Sequence, residues 1–253
     1  MRRTTSVLPT LAALAAAVTL SGCAVGPDKR DPMENWNRAV FQFNDTVDTY
    51  ALKPVATGYK NVTPTIVQTG VSNFFGNLQD LWTGANNFLQ GKGREGASDL
   101  GRVALNTTFG VLGLFDIASE AGLPKHKEDF GQTLGRWGVQ SGPYMMLPLL
   151  GPSTLRDTVG LPLDIAADPW GYKDPVNVRN IGAGVRVIDQ RAALLDASTL
   201  LEDAALDRYE FIRDGFLQRR QSQVYDGEVP QTKSEENVPE QPAVKPTGEG
   251  ATQ

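Results

Sequence analysis

The stretch Thr63-Pro64-Thr65-Ile66-Val67-Gln68-Thr69-Gly70-Val71-Ser72-Asn73-Phe74-Phe75-Gly76-Asn77-Leu78-Gln79-Asp80-Leu81-Trp82-Thr83-Gly84-Ala85-Asn86-Asn87-Phe88-Leu89-Gln90-Gly91 decides the fold class. Thr63-Pro64 reads as an N-cap followed by an N1 proline. Val67, Val71, Phe74, Leu78, Leu81, Ala85 and Phe88 then recur at steps of three and four, one helical face of about seven turns that stops at Gly91. Upstream, Asp31-Pro32-Met33-Glu34 places an N-cap Asp, an N1 Pro and an N3 Glu before Trp36, Val40, Phe43, Val47 and Tyr50, a second amphipathic helix that Pro54 ends or kinks. Downstream, 93–108 reads as a helix and 112–121 as a shorter one, and after a Gly/Pro-rich middle 175–196 and 202–224 read as two more. Alternating, strand-like stretches are scarce. The expectation is a mainly α-helical single domain over 31–224.

Both ends differ from this middle. Arg2 and Arg3 precede an apolar run, Leu11 to Val18, too short to span a bilayer. Leu20-Ser21-Gly22-Cys23 follows, a lipoprotein signal-peptidase box in which the thiol is needed to take a diacylglyceryl group. Residues 1–22 are therefore expected to be a signal peptide, and 23–30 a tether carrying diacylglyceryl and N-acyl lipid on Cys23. Cys23 is the only cysteine, which rules out an internal disulfide, and acylation removes a thiol that would otherwise be a liability outside the cytoplasm. Ala24 at the next position points to outer-membrane sorting in a Gram-negative bacterium. At the other end, 225–253 has no aromatic after Tyr225 and no Leu or Ile, so it is expected to stay a disordered tail.

The charge balance is −5 for 253 residues, and −7 for the 231 left once Arg2 and Arg3 go with the signal. An acidic chain without a basic stripe is a poor nucleic-acid binder. Enzyme chemistry is also poorly served. His126 is the only histidine, in the charged stretch 124–129, which reads as a solvated loop. Gly151-Pro152-Ser153-Thr154 reads as a helix start capped by Ser153 and not as a nucleophile elbow, and neither a metal-ligand pattern nor a nucleotide loop is present. Asp157, Asp164 and Asp168 could gather near a helix end, but capping and solvation suit them better. No cofactor is expected beyond the lipid on Cys23.

Three features leave alternatives open. Gly70, Gly76, Gly84, Gly101, Gly182 and Gly184 interrupt helical patterns, either as ordinary bends or as close helix contacts of the kind favoured in lipid. Phe41 with Phe43, and Phe74 with Phe75, cannot share one narrow face, so these helices are either wide-faced or buried on two sides, against protein and lipid. The apolar segment Gly142 to Pro152, bracketed by Gly-Pro pairs, is either a buried plug or a membrane-inserted wedge. No mature segment has the run of about 20 apolar residues that a transmembrane helix needs.

Asp31-Pro32-Met33-Glu34-Asn35-Trp36-Asn37-Arg38 with Phe41-Gln42-Phe43-Asn44, then 71–78, Asn87-Phe88-Leu89-Gln90-Gly91, Asp129-Phe130-Gly131-Gln132-Thr133-Leu134-Gly135, Gly142-Pro143-Tyr144, Thr154-Leu155-Arg156-Asp157 and 191–196 resemble, in order, the MlaA (VacJ) lipoprotein family. The resemblance covers about 31–216 and is weakest over 165–185. It implies an α-helical ring lying in the inner leaflet of the outer membrane around an amphipathic channel. It also implies a function without ATP: phospholipid mislocalised in the outer leaflet passes to a soluble periplasmic carrier (MlaC), and an inner-membrane ABC transporter completes the route. A trimeric outer-membrane porin is the implied partner. The alternative is a structural, porin-associated lipoprotein that moves no lipid. Phe43, Asn44, Met145, Met146, Leu147, Leu149 and Leu150 are the candidate channel or gate residues. Asn44, Asn73, Asn77, Asn86 and Asn87 could line a channel, or serve as caps and local hydrogen bonds.

Overall fold

A computed structural model describes residues 28–228, with backbone only at 200–204. Cys23, the signal peptide and 229–253 lie outside the described residues. The chain is mainly α-helical: α1 (Glu34–Val47), a π turn (Asp48–Leu52), α2 (Lys53–Val62), α3 (Thr65–Leu89), α4 (Gly93–Thr108), α5 (Ile117–Glu120), α6 (Phe130–Arg136), strands β1 (Tyr144–Leu147) and β2 (Gly151–Thr154), α7 (Leu155–Ala166), a 3₁₀ turn (Pro169–Tyr172), α8 (Val176–Ala193), α9 (Leu195–Ala204) and α10 (Arg208–Val224). β1 and β2 form an antiparallel hairpin in which Tyr144 faces Thr154 and Leu147 faces Gly151.

The contacts close on themselves. α1 packs on β1, β2 on α7, α7 on α6, α6 on α3, α3 on α8 and α8 on α2, and α2 returns through the π turn to α1. This circuit is a ring, with α10 laid across α6 and β2 and α4 running beside α3. The α3–α4 crossing is close because Gly84 faces Gly96: a Cβ on Gly96 would lie 3.0 Å from the Gly84 carbonyl oxygen. Gly182 lets the Trp170 indole lie on α8, where its Nε1 donates to Arg179 O at 2.9 Å. Gly184 faces open space, so the helical glycines do not all serve close approach.

Several local expectations are corrected. α1 begins at Glu34 after Met33, without a side-chain cap; Asp31 is instead fully buried and accepts from Asn37 Nδ2 at 2.8 Å. Pro54 does not end the helical run: a π turn, Asp48–Leu52, interrupts the α-helix just before it, and α2 continues to Val62 with Pro54 in its first turn. Pro64 occupies the N-cap position of α3, not N1. Only Ile117–Glu120 of the expected 112–121 helix forms, since Val111 and Leu112 take positive φ of 50° and 58°, a conformation that ends a right-handed helix. The last helix starts at Arg208, capped by Asp207, not at 202. Thr154, not Ser153, caps α7, accepting from Asp157 N.

The pattern of burial is inverted. Among the described residues, ten apolar side chains are buried, seven of them in two clusters, Val40, Tyr144, Met146 and Tyr209 and Ala56, Ala192 and Leu195, whereas 34 large apolar side chains are exposed. On α3 the buried positions are Phe75, Asn77, Asp80, Thr83, Gly84, Asn86 and Asn87, while Ile66, Val67, Leu81, Phe88 and Leu89 face outward. Soluble domains bury the opposite set. Among the described residues no helix is long and apolar enough to cross a membrane.

Candidate functional site

The hairpin is held to α1 by two asparagines. Asn37 Nδ2 donates to Tyr144 O (3.1 Å) and its Oδ1 accepts from Met146 N (2.8 Å). Asn44 Nδ2 donates to Leu147 O (2.9 Å) and its Oδ1 accepts from Leu149 N (2.7 Å). A side-chain amide has the donor and acceptor of a peptide group, so α1 pairs with the free edge of β1 as a neighbouring strand would. The spacing fits: seven residues of helix and three of strand both cover about 10 Å. Asn37 is fully buried and also reaches Asp31, whose other oxygen accepts from the Tyr209 hydroxyl.

The expected site residues divide along this hairpin. Met146 is buried beside Tyr144, Val40 and Tyr209, whereas Leu149 and Leu150 at the tip are exposed. Met145 and Leu147 are half-buried, and Asn44 lies under the tip. Phe43, next to Asn44 in sequence, is turned away to the outside. The segment 142–152 thus combines a plugged base with a protruding apolar tip. Asn37 was not singled out as a site residue in the sequence; its signal is the seven-residue interval to Asn44. Replacing Asn37 by Leu should lower stability by about 2–4 kcal/mol, because it strands a buried N–H, a carbonyl and part of a carboxylate. Asn44→Ala, at a half-exposed position, should cost only about 1 kcal/mol. Equal urea midpoint shifts for the two would contradict this.

The other asparagines are ties within the ring. Asn73 Nδ2 donates to Leu114 O, Asn77 Nδ2 to Thr107 Oγ1 and Asn87 Nδ2 to Asp99, while Asn86 Oδ1 accepts from Thr133 Oγ1. His126 is half-buried between exposed Lys125 and Lys127, with its Nδ1 2.8 Å from the buried Asp99 carboxylate. Asp157, Asp164 and Asp168 do not gather. Asp157 binds Arg156 and Arg220, Asp164 accepts from Trp82 Nε1 and Phe130 N, and Asp168 caps the 3₁₀ turn and pairs with Arg186. Among the described residues no acidic or histidine cluster is arranged for a metal.

Buried arginines, missed in the sequence, hold the ring's layers together. Arg102 meets Asp80 and Asp116, and Arg220 forms a double fork to Asp129 and Asp157. Burial alone would raise the Asp129 carboxyl; Arg220 outweighs it and holds it below its ordinary range. A cleft of about 870 Å³ opens between α10 and the α6–β1 loop, lined among others by Arg30, Gly138, Gln140, Arg156, Gln218 and Arg220. Its three guanidiniums are already engaged by Asp28 and Asp214, Asp157, and Asp129 with Asp157 respectively.

A family model described as MlaA lipoprotein matches residues 29–223. The chain is 36% identical over 233 residues to the intermembrane phospholipid transport system lipoprotein MlaA of Escherichia coli K12, covering 87% of this chain and 90% of that one. The Haemophilus influenzae protein of the same name is 30% identical over 248 residues, covering 91% and 95%. A solved structure described as "Structural basis for maintenance of bacterial outer membrane lipid asymmetry" superposes with a TM-score of 0.67 at 37% identity, over 77% of this chain and 98% of that chain.

Proposed function

Because the chain belongs to the MlaA lipoprotein family, we propose that it takes phospholipid mislocalised in the outer leaflet of the outer membrane and passes it to a soluble periplasmic carrier. In this reading it is held at the periplasmic side by lipid on Cys23 and sits beside a trimeric porin. The observation that carries this reading is the inverted burial. A ring lying in one leaflet meets hydrocarbon on its outside, where exposed Ile66, Val67, Leu81 and Phe88 are at home. It must also satisfy its polar groups internally, as Asn86, Asn87, Asp99 and Arg102 do. The hairpin tip, Leu149 and Leu150, exposed and tied to α1 through Asn44, acts in this reading as a gate over the channel by releasing that tie. The base, fastened through Asn37, stays with the core.

A purely structural role beside a porin would use the same apolar outer wall, so the test has to separate lipid from porin. Deleting the gene should raise outer-leaflet phospholipid with porin levels unchanged, and the protein purified in mild detergent should carry phospholipid. Loss of porin with an unaltered lipid distribution would overturn the transport reading.

A further inference from the structure

The cleft between α10 and the α6–β1 loop is lined by four cations, Lys29, Arg30, Arg156 and Arg220, and by one carboxylate, Asp214. Its guanidiniums differ in how fully they are used. Arg220 places all three nitrogens on Asp129 and Asp157. Arg30 binds Asp28 and Asp214 through Nε and Nη2, and its side chain is 56% exposed, so water reaches the remaining nitrogen. Arg156 has neither arrangement. Its side chain is only 5% exposed, and its Nε and Nη2 both approach one oxygen, Asp157 Oδ1, at 3.0 and 2.9 Å. A guanidinium carries five N–H donors, yet among the described residues no acceptor lies on Arg156 Nη1.

The local structure fixes that group at the cleft. Arg156 is the second residue of α7, and the amides of Leu155 and Arg156 donate to Pro143 O (3.0 Å) and Ser141 O (3.1 Å), which staples the helix start to the α6–β1 loop. Gly135 leaves the space beside it: a Cβ there would lie 2.6 Å from Arg156 Nη1. In the first turn of a twelve-residue helix a cation meets the positive end of the helix dipole. Asp157, which Arg220 shares, offsets only part of this, and a buried donor left without a partner adds its own cost. An anion on Nη1 relieves both.

We propose that the cleft binds the phosphodiester of a glycerophospholipid headgroup, with its oxygens accepting from Arg156 Nη1. Guanidinium N–H groups make strong, charge-assisted bonds to phosphate oxygens. A phosphodiester carries one negative charge and matches one unused guanidinium edge, whereas a dianion would be repelled by Asp157 behind it. A volume of about 870 Å³ is that of a small-molecule site, with room for a headgroup and its glycerol. Val139 and Leu217 give the glycerol end an apolar wall, and the half-exposed Asp214 faces the same space with the charge that an ethanolamine ammonium needs. The inference rests on the phospholipid reading above and names the chemical group that is recognised.

The test follows the phosphorus NMR line of glycerophosphoethanolamine, which has the headgroup but no acyl chains to enter detergent, on the full-length protein in a maltoside. Its broadening should saturate with wild type. Arg156→Gln should weaken the apparent affinity roughly tenfold, the scale of a lost bond to a charged group. That change can loosen α7, so a second variant is needed. Gln140→Glu with Gln218→Glu, at two exposed positions of the lining, should weaken binding about fivefold through like-charge repulsion with the melting curve unchanged, and Gln218→Lys should tighten it. Glycerophosphoglycerol should compete, and inorganic phosphate should need roughly tenfold more. Absence of saturable broadening, or broadening that the paired glutamates leave unmoved, overturns the proposal. So does inorganic phosphate competing equally, which marks a general anion site. If the probe binds here and phospholipid transfer is absent, the transport reading fails and the site stands. If transfer proceeds and the probe does not bind, the site alone fails.

Discussion

Arg102→Ala should lower the stability of the protein by about 3–5 kcal/mol, the usual consequence of removing one partner from a buried ionic network. Arg102 is fully buried and all its donors are used: Nε to Asp80 (3.3 Å), Nη1 to Ser119 Oγ (3.0 Å) and Leu123 O (2.6 Å), and Nη2 to both Asp116 oxygens (2.8 and 2.9 Å). One side chain therefore ties α3, α4, α5 and the loop after α5. Alanine leaves a cavity and two carboxylates short of a partner; Lys125 still reaches Asp80 at 3.1 Å, which keeps the loss from being larger. Lysine would restore charge but not the planar fork, so Arg102→Lys should recover only part. Lys60→Ala, which breaks a surface pair with the exposed Asp196, should cost no more than about 1 kcal/mol. Comparable urea midpoint shifts for Arg102→Ala and Lys60→Ala would contradict this account.

Acid tests the same cluster. Burial pulls the Asp116 carboxyl up, but hydrogen bonds from Ser119, Asn106 and Arg102 outweigh it and hold it at about 2. A pKa depressed by folding adds stability above the unfolded value, near about 4, which is lost as pH falls from there through the folded value. Asp80 has the opposite sign: burial raises it despite Lys125 and Arg102, so its protonation in the folded state partly offsets the loss. Stability should decline between pH 4 and 2, and the part of that decline due to Asp116 should shrink in Arg102→Ala.

Locking the hairpin tip to α1 should abolish phospholipid transfer while leaving the fold intact. The bond from Leu149 N to Asn44 Oδ1 already sets the two positions side by side, so Asn44→Cys with Leu149→Cys, joined by a disulfide or a short bis-maleimide, tests the gate. Cys23 is the only native cysteine, which limits mispairing. Both positions are outside the buried clusters, so the melting temperature should change little. Transfer to an acceptor carrier should fall to background in the cross-linked protein, and reductant should restore it to the disulfide form. Full transfer by a verified cross-linked sample would leave the tip without a gating role. If the tip were instead part of the core, Met145→Ser with Leu149→Ser would cost several kcal/mol, the scale of buried apolar truncations.

The long helices were legible because their signals are local. α4 runs from Gly93 to Thr108 as its pattern requires, and α3 ends just before Gly91, whose φ is +79°. The 109–121 segment was not legible. Its apolar spacing suits a helix, yet Val111 and Leu112 are held in left-handed conformations by bonds such as Leu112 N to Thr107 O and Gly113 N to Asn106 O, with Gly113 pressed on Asn77. The two bonds are local, but the contact with Asn77 on α3 is a tertiary constraint. The apolar segment 142–152 left plug and wedge open, and neither the strand pairing nor the split between buried Met146 and exposed Leu149 is written in its composition.

For the candidate site, Asn44 could be picked out from its motif, whereas the partners of Asn37, Arg102 and Arg220 could not. Their partners lie 107, 14 and 91 residues away in the chain, in Tyr144, Asp116 and Asp129. The sequence by itself determined the helical class, the family and the positions of the apolar stripes, since helix periodicity and short motifs are properties of neighbouring residues. The tertiary structure alone decided which way those stripes face. The apolar spacing of Trp36, Val40, Phe43, Val47 and Tyr50 would mark a core face in a soluble bundle, but here only Val40 of these is buried, while Trp36 and Phe43 on α1 and Tyr50 in the π turn are exposed, and the side turned to the hairpin is Asn37, Val40 and Asn44. Periodicity records where apolar groups sit on a helix. What surrounds them follows from ring closure, because elements joined in a circuit have two sides to cover and too few apolar contacts between them to turn every stripe inward.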